Sequence, residues 1–190
     1  DFGDLYTLVD WSKKTGMRVI QLLPIYDTTQ TSTWRDCYPY NAISIYALHP
    51  IYMDTSRFTI EDEAFMQEYE RECKELNALP QVDYERTLNM KMRYLHRLYE
   101  QQGCKVMEEE KAFKDFLRKN EEWLIPYSVF CHRRDEEGTS SFSSWKMLSQ
   151  YDEKEVRTYA AEKRKEVGFD MFVQFWLSVQ LSEVTAYARH

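Results

Sequence analysis

A chain of 190 residues suffices for one domain that buries roughly 70% of its unfolded surface. With 43% hydrophobic residues, including 14 tyrosines, 10 phenylalanines and 5 tryptophans, it is not globally disordered. The net charge of −7, from 32 acids against 25 bases, argues against nucleic acid and anionic membrane as partners. Five glycines and five prolines favour helices over an all-β fold.

The first helix is read from Leu5, Leu8, Val9 and Trp11, with Lys13 and Lys14 in its last turn and Gly16 as a left-handed stop. Residues 19–23 (VIQLL), flanked by Gly16 and Pro24, have the pattern of a strand buried on both faces. A strand of that kind needs parallel neighbours covered by helices. The loop that follows it is where α/β enzymes place substrate-binding residues, and here it carries Asp27, Trp34, Arg35, Asp36, Tyr38 and Tyr40. Residues 51–54 are expected as a short extended segment beside that strand.

Beyond this point the pattern is helical. Phe65, Tyr69, Cys73 and Leu76 place a helix over about 60–79, stopped by Pro80. Tyr84, Leu88, Met92, Leu95 and Tyr99 place another, capped by Asp83 and ended by Gly103. A third is expected over 108–119 and a fourth from Asn120 to Gly138, with Trp123, Tyr127 and Phe130 on one side. A polar linker follows, anchored by Phe142 and Trp145, and then a charged helix capped by Asp152 and reaching Glu166. The last helix, 169–188, shows a wide apolar stripe of Phe169, Phe172, Val173, Trp176, Leu177, Leu181 and Val184, which reads as core. Partial exposure of that stripe would favour self-association.

Asp170, Gln174, Gln180 and Glu183 interrupt the same segment, so no membrane span is expected. Cysteines 37, 73, 104 and 131 have no C-x-x-C spacing and read as free intracellular thiols, with metal ligation as the lesser alternative. His49, His96, His132 and His190 form no metal-ligand spacing. Asp27, an isolated carboxylate, reads as a turn-former or hydrogen-bond acceptor rather than a nucleophile. The chain opens on Asp1 without a methionine and reads as a piece of something longer.

DWSKKTGMRVIQLLPIYDTT, TWRDCYPYNAISIYALHPIY, WLIPYSVFCHRRDEEGTSSFSSW and MFVQFWLSVQLSEVTAYARH resemble the early catalytic domain of the 4-α-glucanotransferases. These are the amylomaltase or disproportionating enzymes of glycoside hydrolase family 77, in the α-amylase superfamily. The resemblance implies a mainly α piece of a (β/α)8 TIM barrel whose remainder is missing: a helical insertion subdomain plus one or two early barrel strands. On that reading, 1–58 are the early barrel helix, strand and loop. Residues 59–166 form the helical insertion, and 167–190 lead back to the barrel.

The resemblance also implies the chemistry. The parent transfers α-1,4-glucan segments between maltose, maltodextrin and glycogen-like acceptors in the cytoplasm, without cofactor or metal. A retaining double displacement of this kind uses two carboxylates about 5 Å apart. They are expected beyond residue 190, so no catalytic residue is assigned here and the 190 residues alone are expected to be inactive. The family's PY tyrosine, a sugar contact, corresponds to Tyr40, with Trp34, Tyr38 and Asp36 as accompanying substrate-binding candidates. Relatives often read D-S-P-Y, whereas this chain has one residue more, Asp36-Cys37-Tyr38-Pro39-Tyr40. The alternative function is a non-catalytic helical interaction domain that ignores sugars.

Overall fold

The computed structural model describes residues 1–189; His190 lies outside the described residues. The chain is mainly helical: α1 (Asp4–Thr15), α2 (Glu63–Asn77), α3 (Tyr84–Glu109), α4 (Lys111–Glu137), α5 (Glu153–Glu162) and α6 (Arg164–Ala188). The starts of α2, α3 and α5 are set by aspartates. Asp62, Asp83 and Asp152 each accept the backbone N–H three residues on, at 2.9–3.1 Å, satisfying a donor that has no partner inside the helix. Gly16 ends α1 and Gly138 ends α4, both left-handed, with φ of 75° and 66°.

Three helix boundaries depart from the sequence reading. Gly103 does not terminate α3 but sits buried inside it. A Cβ there would lie 2.3 Å from the Tyr99 ring, so the glycine makes room for Tyr99 to pack against Phe169 and Phe172. The two helices expected over 108–119 and 120–138 are one continuous α4, which passes through Pro126. The charged helix stops at Glu162 rather than Glu166, and α6 begins directly at Arg164. Of the two expected linker anchors, Trp145 is buried and donates from Nε1 to the Thr139 carbonyl at 2.8 Å. Phe142 is half exposed.

The strand expected at 19–23 is not formed. Val19 is 81% exposed and Leu23 64%, and none of the non-helical backbone hydrogen bonds among the described residues involves 19–23. A strand gains its hydrogen bonds from neighbours; among the described residues the β-pairing is limited to an antiparallel bridge between Tyr26 and Leu48. Residues 51–54 are not an extended partner either, because Pro50–Tyr52 forms a 3-10 turn.

At the centre lies α6, which packs against α1, α3, α4 and α5. Its stripe residues Phe169, Phe172, Val173, Leu177 and Val184 are buried within the chain, and so are Met171 and Phe175 on its flanks. A helix apolar on most sides is a core helix. Gln174 and Gln180 are nevertheless 2% and 3% exposed on it. Each carboxamide pairs with both backbone groups of one residue in the segment below. Gln174 Oε1 accepts from Leu48 N at 2.8 Å and Nε2 donates to Leu48 O at 2.7 Å. Gln180 treats Asp54 the same way, with both distances 2.9 Å. Among the described residues, no helix is long and apolar enough to cross a membrane.

Two outcomes follow from this packing. Gly103→Ala lowers the melting temperature despite alanine's higher helix propensity, worth about 1 kcal/mol, because the Tyr99 ring occupies the space. A raised melting temperature would show that propensity dominates. Gln180→Leu leaves an N–H and a C=O without partners and costs about 3 kcal/mol in urea unfolding.

Candidate functional site

The loop between Asp27 and Leu48 is closed at its base like a short antiparallel ribbon. Asp27 N–H donates to Ala47 O at 2.8 Å, His49 N–H to Ile25 O at 3.0 Å, and Ile43 N–H to Asp27 O at 2.8 Å. The Asp27 side chain is 1% exposed. Its Oδ1 accepts from Thr29 N–H at 2.9 Å and its Oδ2 from the Tyr127 hydroxyl at 2.6 Å. It is thus the turn-former and acceptor that its isolation in sequence suggested.

Asp36 organises the interior of the loop. Its Oδ2 accepts the consecutive amides of Gln30, Thr31 and Ser32 at 3.0, 2.8 and 2.7 Å, and its Oδ1 accepts from the Thr31 hydroxyl at 3.1 Å. Successive amides pointed at one anion form a nest, and here the anion belongs to the chain itself. The nest also stabilises Ser32 in the left-handed region, at φ 57°. Asp36 is 4% exposed, so of the four sequence candidates it is the one turned inward.

The other three project outward. Trp34, Tyr38 and Tyr40 are 66%, 60% and 64% exposed. The Tyr38 and Tyr40 rings lie 5.5 Å apart, tilted by 51°. Trp34 is held through its backbone, whose N–H donates to Glu85 Oε1 at the start of α3, at 2.8 Å. The arrangement offers aromatic faces on a restrained backbone, which suits the apolar faces of sugar rings. Acid–base chemistry has less to work with. Asp27 and Asp36 are occupied as described, and Asp54 Oδ1 accepts from both the amide and hydroxyl of Ser56.

Beneath the loop, toward α2 and α3, is a cleft of about 480 Å³ whose lining includes Tyr26, Thr28, Asp36, His49, Tyr84 and Lys91. His49 is 4% exposed. Its Nδ1 accepts from Ile51 N–H at 3.1 Å, so the ring proton sits on Nε2, which donates to the Tyr84 hydroxyl at 2.8 Å. Burial lowers the pKa of His49, against the opposing pull of Asp27 and Asp36. Lys91 Nζ donates to Ile51 O and Met53 O at 2.8 and 2.7 Å, and burial brings its pKa down to about 8. No group of three or more metal-ligating side chains forms among the described residues.

Tyr127, Arg134 and Gln174 tie the loop to α4 and α6; Tyr127 and Arg134 had no signal in the sequence beyond helical periodicity, and Gln174 stood out only as a polar break in the apolar run of α6. Their partners are about a hundred residues away, with Arg134 Nη1 donating to Thr29 O at 2.7 Å.

A base with a lowered folded-state pKa is protonated first in the unfolded chain. The stability that His49 contributes is therefore complete above its ordinary value of 6.5 and drains as pH falls below it. His49→Asn, which keeps an acceptor for Ile51 N–H, flattens that part of the slope in melting curves between pH 7.5 and 5. A slope unchanged by the substitution would assign it to other groups.

The family model described as 4-alpha-glucanotransferase matches residues 1–190. The 4-alpha-glucanotransferase DPE2 of Oryza sativa subsp. japonica is 35% identical over all of this chain, which covers 20% of that protein's length. The 4-alpha-glucanotransferase of Chlamydia pneumoniae is 33% identical over 99% of the chain and 35% of its own length. That of Chlamydia muridarum is 27% identical over the whole chain, again 35% of its own length. The chain thus spans between a fifth and about a third of these curated relatives and matches the family model from end to end, and it belongs to the 4-alpha-glucanotransferase family, glycoside hydrolase family 77.

Proposed function

We propose that this chain is the glucan-binding early part of a 4-α-glucanotransferase catalytic domain. Residues 1–58 contribute an early helix, barrel edge and substrate loop, 59–166 a helical insertion, and 167–190 the return to a (β/α)8 barrel. The whole protein moves α-1,4-glucan segments or glucosyl units between maltose, maltodextrins and glycogen-like acceptors, by a retaining double displacement. The observation that carries this reading is the set of exposed rings, Trp34, Tyr38 and Tyr40, on a loop anchored at one end through Asp27 to Tyr127 and at the other through Leu48 to Gln174. Aromatic loops of this kind, held by a rigid scaffold, are usual binding elements.

The catalytic carboxylates lie outside residues 1–190 on this reading. In support, Asp27, Asp36 and Asp54 are engaged in backbone and hydroxyl hydrogen bonds rather than paired across a cleft. The exposed apolar edge of Val19, Leu22 and Leu23 is what a barrel strand presents to neighbouring strands. The unpaired cysteines 37, 73, 104 and 131 fit a cytoplasmic protein.

Glucose release from maltose plus glycogen, compared between the 190-residue chain and the full-length protein, tests the assignment. Activity confined to the full-length protein is expected, and Tyr40→Ala in it raises KM for maltooligosaccharides about tenfold, equivalent to ~1.4 kcal/mol. Activity in the short chain would place the chemistry on its own acids. Inactivity of the full-length protein would overturn the transferase reading.

A further inference from the structure

The rings of Trp34, Tyr38 and Tyr40 have little packing of their own, so their positions follow from the backbone that carries them. Within the loop, the Asp36 nest fixes local shape, and Thr28 adds a bond to the Asp36 carbonyl at 2.5 Å. Neither contact ties the loop to the body of the protein. That attachment comes from a few longer-range bonds. Besides Glu85 on α3, they are the Tyr127 hydroxyl on Asp27, Arg134 on Thr29, and Gln174 on Leu48.

Of these, the bond from Tyr127 to Asp27 has the widest reach. Asp27 binds Thr29 on the outgoing leg through its carboxylate. Through its backbone it binds Ile43 and Ala47 on the returning leg. A shift of Asp27 therefore moves both legs together, and Tyr40 stands three residues before Ile43. Tyr127 is 7% exposed. Its hydroxyl also lies 3.4 Å from Gln174 Nε2, the carboxamide that clamps Leu48. Tyr127 and Arg134 are two turns apart on α4 and so share a face. Burial and the Asp27 carboxylate push the Tyr127 pKa far above its ordinary value, so it remains a donor at any working pH.

We propose that Tyr127 is a positioning residue for the substrate loop: its hydroxyl, through Asp27, sets where Trp34, Tyr38 and Tyr40 meet the glucan. The inference rests on the glucan-binding reading above. It extends that reading to a residue outside the loop, on a helix that touches no substrate in this role.

The test is Tyr127→Phe in the full-length protein, which removes one oxygen and preserves the ring. Expected is a KM for maltooligosaccharide donors raised about tenfold, with kcat within threefold of the wild type. Amide hydrogen exchange should speed up over 28–43 while α2 and α3 keep their protection. In a Tyr40→Ala background the KM effect of Tyr127→Phe should shrink, because two changes acting through one contact are not additive. Should Tyr127→Phe fail to fold, Asp27→Asn is the second variant. It keeps the side-chain shape but leaves one oxygen for two donors, and should shift KM in the same direction. An unchanged KM in an active enzyme, or protection falling equally throughout the molecule, overturns the proposal. A wild-type protein that transfers no glucose overturns the functional reading instead, and the exchange measurement still reads the tether separately.

Discussion

The fold depends on two glutamine side chains that take the place of a missing β-strand. The segment from Leu48 to Asp54 runs beneath α6 and, past the bridge from Leu48 to Tyr26, has no sheet neighbour among the described residues, yet it is largely buried, and buried peptide groups need partners. A carboxamide has the same donor and acceptor as a peptide unit. Gln174 and Gln180 use both, one on Leu48 and the other on Asp54. The offset is 126 residues in each case, and Arg57 meets Glu183 at the same offset. Six helical residues rise only about 9 Å, whereas six extended residues would span about 20 Å. The 3-10 turn Pro50–Tyr52 contracts the segment to match. His49 caps that turn, and Lys91 takes the carbonyls of Ile51 and Met53.

The loop from Asp27 to Leu48 is held at its returning end by this clamp. Leu48 is held by Gln174, Ala47 then receives Asp27, and Asp27 receives Ile43 and Thr29. The loop's own acid, Asp36, is spent on folding the loop around itself. An inward carboxylate shapes the turn while the outward rings remain free for a ligand. Charge thus does structural work at this site, and aromatic surface is what faces solvent.

Much of the helical framework was legible in the chain because its signals are local. Asp83 and Asp152 cap the helices they were expected to cap, and Gly16 and Gly138 stop helices with a left-handed residue. Gly103 misled because glycine has two uses: it can end a helix or admit a ring. Here Tyr99 takes the space, which depends on where Phe169 and Phe172 lie. Residues 19–23 misled for the opposite reason. Their apolar run records a preference for a sheet, and a preference cannot supply the strands that would satisfy it.

What the sequence determined by itself was the family, the mainly helical character, and the loop that carries Trp34, Tyr38 and Tyr40. These rest on motifs and on periodicities that span a few residues. Only the tertiary structure decided that Asp36 turns inward and that Asp27 answers to Tyr127 a hundred residues away. It likewise decided that the glutamines breaking an apolar helix are its most specific contacts. A polar side chain in an apolar run shows that some partner must exist, because leaving it unpaired in the core costs free energy. Which backbone group becomes that partner is settled when distant segments pack.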